Sequence, residues 1–113
     1  MSNDWHISTS SSEIPSPALL IYPNRIEENI NRMIAIAGSA KRLRPHVKTH
    51  KLDEIVKLQL KAGINKFKCA TIAEAEMLAQ AGAKDILVAT QLVGPNTDRI
   101  AKLANWYRDI RFS

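Results

Sequence analysis

Ala62-Gly63-Ile64-Asn65-Lys66-Phe67-Lys68-Cys69-Ala70-Thr71 and Ala81-Gly82-Ala83-Lys84-Asp85-Ile86-Leu87-Val88-Ala89-Thr90 follow one frame, nineteen residues apart. Each copy opens on Ala-Gly, carries an apolar residue four positions after the glycine, and closes on Ala-Thr. A glycine just past an apolar-periodic run stops a helix, and alternating apolar residues make a half-buried strand. A threonine before the next run can cap a new helix. The unit is therefore helix stop, turn, strand, with strands over Lys66–Ala70 and Asp85–Thr90. Between them Thr71 is the expected cap of a helix ending near Ala81 and stopped by Gly82, with Glu74 three residues on to close a capping box. Strands that alternate with amphipathic helices pair in parallel, because each crossover returns the chain in the same direction.

The same alternation extends outward. Downstream, Gln91 to Asn96 links to a helix with Ile100, Leu103, Ala104 and Tyr107 on its buried side, and Asp109–Ser113 starts a further strand. Upstream, Leu52, Ile55, Val56 and Gln59 share one face of a helix from about Asp53 to Ala62, ended by Gly63. Before it lies Arg44-Pro45-His46-Val47-Lys48-Thr49-His50-Lys51. Extended backbone would put Arg44, His46 and Lys48 on one face and Leu43, Pro45 and Val47 on the other. The basic face needs something that rewards cations, because unpaired buried charge is costly, and a phosphorylated ligand would do so. Lys48, last in the row before a polar turn, is placed to act as an amine nucleophile. Further upstream, Ala18–Tyr22 is an apolar run stopped by Pro23, the pattern of a strand buried on both faces. Asn24 with Glu27 signals a helix start. Ile26, Ile30, Met33, Ile34 and Ala37 follow at helical spacing, with Gly38 as the stop.

Composition bounds what such a fold can do. With 113 residues, 45% of them hydrophobic, the chain suits one small globular unit. Net charge is +5, and five of the sixteen Lys and Arg lie between Lys41 and Lys51. No Trp, Tyr or Phe falls in that cluster, and RNA-binding surfaces pair charge with stacking aromatics. Nucleic acid is therefore not the expected partner. The single Cys69 allows no intrachain disulfide and suits a reducing compartment; alternating with Phe67, it is expected to be a buried, inert thiol. There is no apolar run of roughly 18 residues and no basic-then-apolar leader, so no membrane partner is expected and the protein is expected to be cytoplasmic. Residues 1–16, with a Ser/Thr run at 8–12, are expected to be a flexible leader.

The octapeptide 44–51, followed by Cys69-Ala70-Thr71-Ile72-Ala73-Glu74-Ala75-Glu76, resembles the N-terminal part of the D-threonine aldolase and D-serine dehydratase group, whose barrel is similar to that of alanine racemase. The resemblance runs from about Pro17 to Gly94. It implies a pyridoxal 5'-phosphate (PLP) enzyme acting on D- or β-hydroxy amino acids, a lyase of aldolase or dehydratase type, with Lys48 carrying the cofactor as a Schiff base. It implies an α/β fold: residues 17–113 as the N-terminal portion of a (β/α)8 (TIM-type) barrel, about three βα units plus the start of a fourth strand. A whole barrel takes about 250 residues, so the sequence is read as a fragment or truncated product. The C-terminal β-domain, to which the strand at Ala18–Tyr22 would belong, is outside it. The resemblance also implies a homodimer when complete, and a divalent metal whose ligands lie outside this chain. Rival readings are an amino-acid racemase, a non-catalytic PLP-binding protein and a basic nucleic-acid module.

In such a barrel, function gathers at the C-terminal ends of strands, where Lys48, Thr71 and Gln91 fall. Lys48, His46 and Gln91 are the candidate cofactor-binding residues, and Lys48 the candidate catalytic one. Thr71 has a sufficient role as a cap. His46, on the face of Lys48, would lie against the cofactor ring, help hold Lys48 neutral, or be satisfied by its neighbours. His46 and His50 are four apart, a spacing that suits one metal ion only on a helix, and Pro45 argues against a helix there. Arg44 is expected to pair with a carboxylate on a later strand outside this sequence.

Overall fold

The computed structural model describes residues 4–113. Its centre is a parallel sheet of β1 (Lys66–Cys69), β2 (Asp85–Val88) and β3 (Arg111–Phe112), in that spatial order. Lys66 pairs with Asp85, Phe67 with Ile86, Lys68 with Leu87 and Cys69 with Val88, so the register offset is the nineteen-residue spacing of the sequence frame. The strands are shorter than expected, because their last residues turn towards the following helices. One ladder bond, Ala89 N–H to the Cys69 carbonyl at 2.8 Å, persists beyond the β1–β2 pairing.

Four helices follow in chain order: α1 (Pro23–Ala37), α2 (Asp53–Lys61), α3 (Ile72–Ala81) and α4 (Pro95–Trp106). Buried and half-buried residues alternate along both longer strands. Phe67, Cys69, Ile86 and Val88 join Val47, Val56, Ile64, Ala75 and Leu78 in the core. Burying one side chain of the Phe67 or Ile86 class stabilises the fold by about 1.5–3 kcal/mol. The other face of the sheet, carrying Lys66, Lys68, Asp85 and Leu87, is only partly covered.

Helix ends follow local chemistry. The Thr71 hydroxyl accepts from the Glu74 amide at 3.1 Å, so α3 is capped as its sequence implies. Gly38 and Gly82 end α1 and α3 at φ 85° and 105°, the left-handed conformation that costs glycine least. The start of α1 differs from expectation: Tyr22 is the cap residue and Pro23 the first helical residue, while Asn24 lies inside the helix. Proline suits that position because its missing N–H would have no helical partner.

Two expected strands are corrected. Residues 18–22 form no strand, and Leu19, Leu20 and Ile21 are exposed; no other strand of the described residues lies beside them to complete a ladder. The segment through Lys48 is reduced to a single parallel bridge between His46 and Lys68. Val47 N–H donates to the Lys68 carbonyl at 3.0 Å and Lys68 N–H to the Pro45 carbonyl at 2.8 Å. Pro45 has no N–H to extend the ladder on one side. On the other, the chain turns at once, with Lys51 N–H bonded to the Val47 carbonyl at 2.9 Å.

Of the leader, residues 1–3 lie outside the described residues. Residues 4–6 and 11–13 form short 3-10 turns. Trp5 sits edge-on to Tyr22 at 5.3 Å with the Arg25 guanidinium 4.5 Å over its ring, and the Tyr22 hydroxyl donates to the His6 carbonyl at 2.6 Å.

Candidate functional site at the Lys48 turn

Arg44, His46 and Lys48 precede β1 laterally, and the bridge at His46 sets their level against Lys68. Val47, pointing the other way, is fully buried. The alternation expected of this stretch thus holds even though the ladder does not: an apolar anchor holds the backbone and leaves its polar neighbours on the open face.

Arg44 is held fast within this chain. Its guanidinium donates to Asp85 Oδ1 at 2.7 Å and to the Phe67 carbonyl at 3.1 Å. The expected carboxylate is therefore Asp85 of β2, two positions across the sheet, and not a residue beyond Ser113. The pairing was hidden in the sequence because it depends on the stagger between the Lys48 segment and β2. The Arg44 hydrogen bond, with Arg111 and Lys66 nearby, holds the Asp85 carboxyl below the usual carboxylate range against the opposing effect of burial.

One step nearer the strand ends, His46 is half-buried and its Nδ1 accepts from the Lys48 amide at 3.3 Å. Lys48 itself is exposed, and no carboxylate of the described residues lies in ion-pair range of its ammonium. His50 Nδ1 accepts from the Leu52 amide at 3.0 Å; burial lowers its pKa, with Glu74 opposing and Lys51 adding to the shift. The two histidines thus serve separate backbone amides. Among the described residues no group of three His, Cys, Asp or Glu side chains could hold a metal ion.

Gln91 is exposed in the loop after β2, and β1 stands between that strand and the Lys48 segment. Thr71 is committed to its cap. Cys69 is buried, its thiol 3.6 Å from the Leu87 carbonyl, and burial pushes its pKa up to about 11. Sequence reasoning gave Glu74 only a capping role and missed its tie to Lys51. The Lys51 ammonium donates to the Lys48 carbonyl and lies 3.1 Å from Glu74 Oε1. Glu74 is 4% exposed, and its Oε2 accepts from the Ala70 amide at 2.6 Å. Burial alone would raise the Glu74 pKa, but the Ala70 amide and the Lys51 ammonium outweigh it and the net shift is downward. The capping-box spacing pointed to Glu74 as a backbone acceptor but gave no sign of the lysine.

Residues 21–110 match the family described as alanine racemase, N-terminal domain. The chain belongs to the alanine racemase N-terminal domain family. That domain is a TIM-type barrel, and the parallel three-stranded sheet with its helices is consistent with part of one. Among curated proteins, the chain is 37% identical over 95 residues to a 3-hydroxy-D-aspartate aldolase of Paracoccus denitrificans, covering 81% of this chain and 24% of that one. It is 35% identical over 94 residues to a D-threonine aldolase of Arthrobacter sp, covering 82% and 24%. It is 38% identical over 80 residues to a D-threo-3-hydroxyaspartate dehydratase of Delftia sp. (strain HT23), covering 70% and 21%. The chain spans about a quarter of the length of the curated relatives it matches. As a member of the alanine racemase N-terminal domain family, it presents its Lys48 turn where such barrels gather function, at the C-terminal ends of the strands. Among the described residues no helix is long and apolar enough to cross a membrane.

Proposed function

We propose that this chain supplies the cofactor lysine of a PLP-dependent lyase acting on D-configured β-hydroxy amino acids, with Lys48 forming the covalent imine. The observation that carries the proposal is the placement of Lys48: an exposed amine without an ion-pair partner among the described residues, at the end of a strand segment whose backbone Val47 anchors. The donor set fits the group. An aldehyde needs a primary amine it can reach, and a phosphorylated ring is favoured by the Lys48 and Lys68 ammonium groups on the open face.

When bound, PLP supplies an electron sink for the charge left at Cα as a bond to it breaks. The Lys48 amine would hold the aldehyde of the cofactor and, when free, would carry a proton at the substrate Cα. His46, whose Nδ1 accepts from the Lys48 amide, would be left with Nε2 for a contact to the ligand. Gln91 is the further candidate contact, from the loop after β2. Arg44, occupied by Asp85, serves the sheet rather than the ligand. The names of the matched relatives, two aldolases and one dehydratase of β-hydroxy amino acids, favour lyase over racemase chemistry. Polarising a β-hydroxyl calls for a Lewis acid, so a divalent ion is proposed for the whole enzyme, with ligands other than the residues described.

The test is borohydride reduction of the full-length polypeptide with PLP, followed by peptide mapping. The label should fall on Lys48, and Lys48→Ala should abolish it. Assays with D-threonine, D-serine and 3-hydroxy-D-aspartate, with and without a chelator, then identify the bond broken: glycine plus an aldehyde means an aldolase, and a keto acid plus ammonia a dehydratase. Label on Lys51, or metal-independent racemisation with neither product, would overturn the assignment.

A further inference from the structure

We infer that Lys51 and Glu74 form a clamp that fixes the backbone of Lys48, making them positioning residues for its amine; the functional part of this inference rests on the proposed role of Lys48. The backbone ladder between this segment and β1 ends at the bridge of His46 with Lys68. Lys48 therefore stands beyond the last hydrogen bond between the two strands, and Ala70 stands beyond the corresponding end of β1. Side chains take over where the ladder stops. Glu74 Oε2 holds the Ala70 amide at 2.6 Å, Oε1 faces the Lys51 ammonium at 3.1 Å, and that ammonium donates to the Lys48 carbonyl. One buried carboxylate thereby ties together the ends of two adjacent strands.

The backbone at Lys51 supports the same reading. Its φ is 54°, the only left-handed non-glycine residue among those described, and a long side chain at such a position is unusual. Glycine or asparagine would suit the turn alone better. A lysine there spends conformational strain on directing its ammonium back over the turn, which is expected where geometry serves a site. Glu74 has a matching oddity. It is a nearly fully buried carboxylate whose second oxygen has no well-angled hydrogen bond and lies 3.1 Å from the Lys51 cation. The Thr71 hydroxyl serves the Glu74 amide and the Glu74 carboxylate accepts backbone amides at the same helix start, so the tie to Lys51 is added to the cap.

The test uses the full-length polypeptide without and with PLP. Lys51→Asn keeps a residue at ease in the left-handed conformation but too short to reach Lys48 or Glu74. Without PLP, amide exchange over residues 48–52 should accelerate at least tenfold in Lys51→Asn and in Glu74→Gln, and stay near wild type in Lys51→Arg. With saturating PLP, the rate constant for appearance of the imine absorbance should fall at least tenfold in Lys51→Asn and recover to within about threefold in Lys51→Arg. A rate constant at saturation does not depend on the fraction folded, so a merely structural role would leave it unchanged. Unchanged exchange and unchanged rate in Lys51→Asn would overturn the clamp. So would equal losses in Lys51→Asn and Lys51→Arg. If Lys48→Ala still forms the imine, the functional reading fails, while the exchange result still judges the clamp.

Discussion

Breaking the Arg44–Asp85 pair should cost stability in a way that depends on pH. The two side chains are 29% and 22% exposed, with the guanidinium 2.7 Å from Oδ1. Fully exposed pairs contribute about 0–1 kcal/mol, and removing one member of a buried pair costs about 3–5 kcal/mol. A pair about three-quarters buried, with a second bond from Arg44 to the Phe67 carbonyl, should fall between, with a coupling of roughly 1.5–2 kcal/mol, as for hydrogen bonds to charged groups. Asp85→Asn alone should cost more than the coupling, because Arg44, Lys66 and Arg111 would then face one another without their shared counter-charge. The folded pKa of Asp85 is depressed, first through the Arg44 hydrogen bond. The unfolded state therefore holds the extra proton over the window between the folded value and about 3.9. The stabilisation is fully present above that window and is lost as the pH falls through the folded value. Urea unfolding of wild type, Arg44→Met, Asp85→Asn and the double variant forms the cycle, run at about pH 7 and repeated at intervals down towards pH 2. A coupling below about 0.5 kcal/mol at neutral pH, or one that does not shrink on acidification, would refute the reasoning.

Two further outcomes follow from the core and the caps. Thr71→Ala should destabilise the fold by about 1 kcal/mol in denaturant unfolding, with Thr71→Ser recovering most of it, because the Glu74 amide loses its only side-chain acceptor. The Cys69 thiol, buried and with its pKa pushed up to about 11, should resist alkylation at about pH 8 in the folded protein and react once denatured; stoichiometric native labelling within minutes would show that β1 opens locally.

The residues that made the fold legible were those whose role is local. Thr71 caps, Gly38 and Gly82 stop helices, and the Ala-Gly to Ala-Thr frame carries the register of β1 on β2, since each needs only its own neighbours in sequence. Ala18–Tyr22 misled for the converse reason. An apolar run has a strand's composition whether or not another strand accepts its hydrogen bonds, and composition cannot supply the partner. Arg44 and Asp85 were each visible, but their meeting depends on stagger across the sheet, which no spacing along the chain encodes. Lys48 and His46 could be placed on one face by alternation alone. The tie from Lys51 through Glu74 could not, because it passes from a turn to a helix start more than twenty residues away.

The nineteen-residue offset also bears on what the gene tolerates. A single inserted residue within Asp85–Val88 would turn the side chains beyond it to the opposite face, putting Leu87 among the helices and Ile86 or Val88 in the open. Loss or duplication of one whole period leaves every remaining strand residue facing as before. Changes of length in this stretch should therefore survive as complete units or as loop insertions beside Gly82 and Gly94, so that the protein is edited in whole modules while its pattern of inward and outward residues is preserved.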